Sequence, residues 1–216
     1  MRPLVKVCGI TRRVDIDTAL AQGVDFLGIN CWPDSARFVP PEKRAELLAA
    51  IPADRRVCVD VAPTLEKLRQ LVAENFALFQ IHFDPANPRT HEQVQAWSAC
   101  VTPARLWLAP RVGPGQHWPT DLLPFANTFL CDGFHAGSFG GTGRTANWEQ
   151  FAQLQAQHPS KQWILAGGLN ADTLPRALHA SQTRFLDLNS GIEDKPGQKS
   201  AEKLAQCVSI LNNPLR

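Results

Sequence analysis

The chain has 216 residues, 44% of them hydrophobic and 19% charged, which is enough to bury one sizeable core and short of what two full domains need. Its formal net charge of +2 arises from mixed signs without a basic stripe, so neither nucleic acid nor an anionic membrane is an expected partner, while a small anionic ligand fits. The six cysteines lack CxxC spacing, which argues against a disulfide scaffold or a zinc site and suits reduced thiols in a cytoplasm.

Met1-Arg2-Pro3-Leu4-Val5-Lys6 runs straight into a strand-like segment, with no apolar signal region and no stretch long enough to span a bilayer. From there, apolar runs alternate with helix-period stretches. The runs cover 4–8, 26–30, 56–61, 78–82, 105–109, 128–132, 163–166 and 185–189; helical periodicity covers 13–22, 42–50, 65–75, 91–99, 147–157, 173–179 and 200–211. Between the fifth and sixth runs, Pro110, Pro114, Gly115, Pro119 and Pro124 leave little room for a helix, so that crossover is expected to be short or irregular. Strand–helix alternation implies parallel strands joined by right-handed crossovers, and eight of them close most simply into a (β/α)8 barrel spanning 1–216 as one domain. The alternative is an open doubly wound sheet. Against it, Cys8-Gly9-Ile10-Thr11 follows the first run where a dinucleotide fold would carry GxGxxG.

In a barrel of parallel strands the C-terminal strand ends converge on one rim, which is where chemistry belongs. That rim collects Cys8, Asn30, Arg37, Asp60, Gln80, His82, Arg111, Asp132 and Asp187. Three glycine-bearing segments fall late in the chain: Gly140-Gly141-Thr142-Gly143, Ala166-Gly167-Gly168-Leu169 and Asn189-Ser190-Gly191. Glycine lets backbone N–H groups approach an anion closely, so Gly141, Thr142, Gly143, Gly167, Gly168, Ser190 and Gly191 form the expected phosphate cradle. Cys8 reads either as a thiolate base or as a small buried hydrophobe. Asp132, ending an apolar strand, must be solvated, paired or working. No metal-ligand cluster is indicated.

Several features have plain explanations. Trp97, Trp107 and Trp163 fall on apolar faces and read as core, whereas Trp32 and Trp118 lie in predicted loops at the mouth. His135 reads as a solvated loop histidine. Asp15 and Asp17 suit the first turn of the opening helix, and Glu193 and Asp194 precede the glycine turn at Gly197 with no chemistry required.

Taken together, these residues resemble one enzyme family. Lys6-Val7-Cys8-Gly9-Ile10-Thr11 is similar to the opening motif of phosphoribosylanthranilate isomerases, and Asp34-Ser35-Ala36-Arg37-Phe38-Val39 to their Ser-Pro-Arg loop. Cys131-Asp132 followed by Gly140-Gly141-Thr142-Gly143 and Trp148 resembles their sixth-strand signature. Leu165-Ala166-Gly167-Gly168-Leu169 and the stretch from Leu186 to Lys199 resemble the last two strands. The resemblance runs in order along nearly the whole chain. It implies a (β/α)8 barrel that isomerises N-(5-phosphoribosyl)anthranilate to the 1-deoxyribulose 5-phosphate derivative in tryptophan biosynthesis, an aldose–ketose isomerisation without cofactor. By the same resemblance Asp132 is the general acid, Cys8 the general base and Arg37 the partner of the anthranilate carboxylate. Gln80 and His82 contact substrate, and Asp187 meets a sugar hydroxyl, supports the site or caps its loop. The oligomeric state stays open between monomer and homodimer.

The chain departs from the family pattern at three places. Asp60-Val61-Ala62-Pro63 stands where the third strand usually reads Phe-Val-Asn. Phe83 replaces the glycine of Gln-Leu-His-Gly, where it would stack against a ring, cover the barrel mouth or crowd out the anthranilate, and Asn189 replaces a serine. These changes keep two alternatives open: a barrel isomerase or epimerase of another sugar phosphate, and a non-catalytic binder of a phosphorylated ligand.

Overall fold

The apolar runs form strands β1 (Leu4–Val7), β2 (Phe26–Asn30), β3 (Arg56–Val61), β4 (Leu78–Phe83), β5 (Leu106–Pro110), β6 (Thr128–Cys131), β7 (Gln162–Leu165) and β8 (Phe185–Leu188). Each pairs in parallel with the next and β1 pairs with β8, so the sheet closes into an eight-stranded barrel. The computed structural model describes residues 2–113, 116–132 and 147–212.

Helices α1 (Arg13–Ala21), α2 (Pro41–Ala50), α3 (Leu65–Ala73), α4 (Thr90–Val101), α5 (Trp148–Gln157), α6 (Leu174–Ser181) and α7 (Ala201–Asn212) supply the crossovers and the closing segment. Between β5 and β6 the described residues of the proline-rich interval make a 3-10 turn, Thr120–Phe125, in place of an α-helix, in keeping with the missing proline N–H groups. The segment after β8 holds an element absent from the sequence reading, an antiparallel hairpin of β9 (Glu193–Lys195) and β10 (Gln198–Lys199). Gly197, at φ +78°, makes its turn.

Side-chain alternation splits the core into two layers. Val57, Val59, Trp107, Ile164 and Phe185 fill the lumen, and Leu27, Cys58, Phe79, Ile81 and Phe129 face the helices. Edge-to-face rings plug the lower lumen: Trp107 lies 5.3 Å from Phe26 and 5.5 Å from Phe185. These rings separate the lower lumen from the cavity at the other end, toward the rim.

The same parity decides among the expectations for Phe83. Gln80 and His82 point inward on β4, so Phe83 points outward, where its ring packs 5.8 Å from Trp97 of α4. It fills core and leaves the mouth clear. Trp118 is likewise corrected: it packs 5.5 Å from Trp163 and is absent from the lining of the rim cavity.

Candidate active site

A cavity at the C-terminal rim is lined by Cys8, Arg37, Gln80, His82, Asp132 and Asp187, together with Gly167, Gly168, Ser190 and Gly191. Asn30, Trp32 and Asp60 also face it, whereas Arg111 does not. Gly141, Thr142, Gly143 and His135 lie outside the described residues. Barrel order runs β6, β7, β8, β1. The carboxyl after β6 and the thiol after β1 therefore stand on separate sides, with the two glycine loops between them.

Those loops are built by glycine where no other residue fits. Gly167 and Gly168 adopt φ of +90° and +63°, and a Cβ on Gly191 would lie 2.0 Å from the Leu169 carbonyl oxygen. That oxygen is backbone and cannot swing aside, so the β7 and β8 loops touch only because position 191 is glycine.

Beneath the cavity, Lys6 is fully buried, and its Nζ lies 2.9 Å from both oxygens of Asp187. The two residues are register partners on β1 and β8. Gly28 of β2 makes the room, since a Cβ there would lie 3.1 Å from the ammonium. Burial pushes the Lys6 ammonium toward neutrality, but Asp187 and Cys8 outweigh it and hold its pKa above the ordinary lysine value. Burial raises the Cys8 thiol above its ordinary range and Asp187 adds to this, while Lys6 and Lys199 pull it down. Cys8 thus rests as a thiol beside two ammonium groups that favour its ionised form.

Glu193, which the sequence reading left without a role, is the centre of a charge network. Arg37 Nε and Nη2 donate to its carboxylate at 2.9 and 2.6 Å, and Lys199 Nζ lies 2.7 Å from Oε1. Burial would raise the Glu193 carboxyl, yet Arg37 and Lys199 hold it below the usual carboxylate range. On the opposite arc, Asp60 is paired with Lys67, whose Nζ lies 3.0 and 2.7 Å from its two oxygens. The extra carboxylate at the rim is thereby neutralised.

Gln80 Nε2 donates to His82 Nε2 at 2.8 Å, so the proton of the neutral ring sits on Nδ1. Burial, with Lys6 assisting, lowers the His82 pKa to about 4. A lowered imidazole pKa means the folded state takes up fewer protons than the unfolded chain between about pH 6.5 and 4, so stability is full above that window and falls as pH drops through it. Urea unfolding at pH 7 and pH 5 is expected to show a loss of up to about 2 kcal/mol from this group, absent in His82→Gln. An equal pH dependence in both proteins would contradict it.

Lys6, Glu193, Lys199 and Lys67 were missed from the sequence. Two signals were available: a lysine inside an otherwise apolar parallel strand demands a partner, and a glycine inside β2 marks a close approach. Nothing in local sequence brings Glu193 to Arg37, 156 residues away.

A closed barrel with a rim cavity, glycine loops after β7 and β8, and ionisable groups on either side of them defines a (β/α)8-barrel enzyme. The sequence profile described as N-(5'phosphoribosyl)anthranilate (PRA) isomerase matches residues 5–210. The N-(5'-phosphoribosyl)anthranilate isomerase of Gloeothece citriformis is 32% identical over 212 residues, covering 96% of this chain and 93% of the relative. The crystal structure of phosphoribosyl anthranilate isomerase from Thermus thermophilus superposes with a TM-score of 0.80 at 30% identity, covering 97% of this chain and 98% of that one. The chain belongs to the N-(5'-phosphoribosyl)anthranilate isomerase family, and is an aldose–ketose isomerase.

Proposed function

We propose that the chain catalyses the Amadori rearrangement of N-(5-phosphoribosyl)anthranilate to 1-(2-carboxyphenylamino)-1-deoxyribulose 5-phosphate in tryptophan biosynthesis. The observation that carries the reading is Cys8 and Asp132 lining one cavity from β1 and β6, with the glycine loops of β7 and β8 between them. A 5′-phosphate held on those loops sets the ribose between acid and base. Asp132 protonates the furanose ring oxygen, the C1′–O bond breaks, and the anilino nitrogen lone pair closes the iminium. Cys8, as thiolate, removes the C2′ proton that the iminium has made acidic, and the resulting enolamine tautomerises to the ketone. The iminium is the electron sink, so the chemistry asks for no cofactor.

The arc from β2 to β4 receives the aglycone. Arg37 meets the carboxylate, and Gln80 Oε1, buried and without a hydrogen-bond partner among the described residues, accepts from the anilino N–H. Asp187 serves as the counter-charge of Lys6 rather than as a loop cap. Among the described residues no helix is long and apolar enough to cross a membrane. The proposed compartment is the cytoplasm, where the six free thiols stay reduced.

Freshly prepared N-(5-phosphoribosyl)anthranilate, followed by loss of anthranilate-type fluorescence, tests the reading. Turnover is the expected result, and a folded protein that leaves the substrate unchanged would refute it. The cradle has its own test. Gly191→Ala forces the β7 and β8 loops apart and is expected to weaken inhibition by inorganic phosphate about tenfold, the loss of one charge-assisted hydrogen bond. Unchanged inhibition would place the phosphate elsewhere.

A further inference from the structure

We propose that Glu193 is a positioning residue that makes Arg37 a preformed receptor for the aglycone carboxylate, an inference that rests on the substrate assigned above. Arg37 lines the cavity, and a guanidinium offers five N–H donors in one plane. Glu193 takes one edge: Nε donates to Oε1 at 2.9 Å and to Oε2 at 3.2 Å, and Nη2 donates to Oε2 at 2.6 Å. No acceptor among the described residues takes the opposite edge, formed by Nη1 and the second Nη2 hydrogen. That edge is a second fork of the same shape, matched to a planar carboxylate.

The anchor is fixed independently of the arginine. Glu193 Oε1 also accepts from Lys199 Nζ at 2.7 Å and from the Gly197 N–H at 3.0 Å, and Lys199 Nζ donates to Asn189 Oδ1 at 2.9 Å. The side chains of Glu193 and Lys199 are 5% and 3% exposed, so solvent does little to loosen them. The β9–β10 hairpin thus holds the carboxylate still, and the carboxylate aims the guanidinium. Gly9 completes the arrangement, because a Cβ there would lie 2.5 Å from Arg37 Cδ; the arginine stem lies directly over the β1 loop. Charge supports the same conclusion. An isolated arginine–glutamate pair would be neutral toward an incoming anion, and Lys199 returns the group of three to a net charge of +1.

The test compares two substrates, N-(5-phosphoribosyl)anthranilate and the corresponding aniline glycoside without the carboxylate, in wild type, Glu193→Gln and Glu193→Asp. Glutamine has one oxygen and one NH2 and no charge, so it cannot accept both arms of the Arg37 fork. Glu193→Gln is expected to raise KM for the anthranilate substrate about tenfold or more, with kcat and the KM of the aniline substrate moving by less than about threefold. Glu193→Asp, which keeps the charge, is expected to recover part of the loss. Equal rises in KM for both substrates would mean a merely structural pair, and no rise for either would mean that Arg37 needs no anchor; each overturns the inference while leaving the isomerase reading intact. A wild-type protein that converts neither substrate would overturn the substrate assignment, and this inference with it.

Discussion

Cys8→Ala and Asp132→Asn are each expected to lower kcat by at least about a hundredfold while KM changes by less than about threefold, because each removes a group proposed to transfer a proton and leaves the loops proposed to bind the ligand. Both changes are small in volume. Alanine at the end of β1 removes one sulfur from a residue 5% exposed, and asparagine is the same shape as aspartate. The two variants should then differ in which bond limits the rate. If Asp132 opens the ring, its loss makes C–O cleavage slow, and deuterium at C2′ no longer affects turnover. If Cys8 takes the C2′ proton, Cys8→Ser, with a poorer base at the same place, should show a larger C2′ isotope effect than wild type. The double variant should be little worse than either single one, since both groups serve one sequence of proton transfers. Near-native turnover in either single variant would end the assignment, and an isotope effect pattern in the opposite order would exchange the roles.

The barrel was legible because parallel strands covered on both faces read as short apolar runs, and the eight runs match β1 to β8 to within one or two residues at each end. The rim was legible for a geometric reason: near the C-terminal end of such a strand, a residue of inward parity faces the mouth. Cys8, Gln80, His82, Asp132 and Asp187 all follow that rule. Phe83 follows the same parity: Gln80 and His82 pointing inward force residue 83 outward onto the Trp97 ring, which leaves the mouth and the anthranilate readings of it without support. Glu193 and Lys199 were beyond local reading. Their roles depend on a hairpin between β8 and α7 folding back over the β1 loop, where the Thr11 hydroxyl donates to the Gly197 carbonyl. Asp60 was visible as a departure, but its meaning lay in Lys67, seven residues on at the start of α3, where Thr64 caps the helix and fixes the direction of approach.

Lys6→Met is expected to destabilise the fold by about 3–5 kcal/mol, the cost of leaving one member of a buried ion pair uncompensated. Methionine is close to lysine in length, so packing around Gly28 changes little and the effect isolates the charge. Asp187 then keeps a carboxyl that burial already pushes above its ordinary pKa, with Lys6 no longer opposing. A carboxyl whose folded pKa is raised binds a proton more tightly in the folded than in the unfolded state, so the variant loses stability as pH rises from the unfolded carboxyl pKa through the folded one. The penalty should therefore be larger in urea unfolding at pH 8 than at pH 5. Lys6→Met/Asp187→Leu should recover most of the stability, because replacing both ions by apolar groups removes the stranded charge. It should not recover turnover, since Lys6 is also one of the two ammonium groups that draw the Cys8 thiol toward its ionised form. A double variant as unstable as Lys6→Met would show that the pair contributes packing rather than charge balance, and full activity in it would mean that Cys8 owes its reactivity to Lys199 alone.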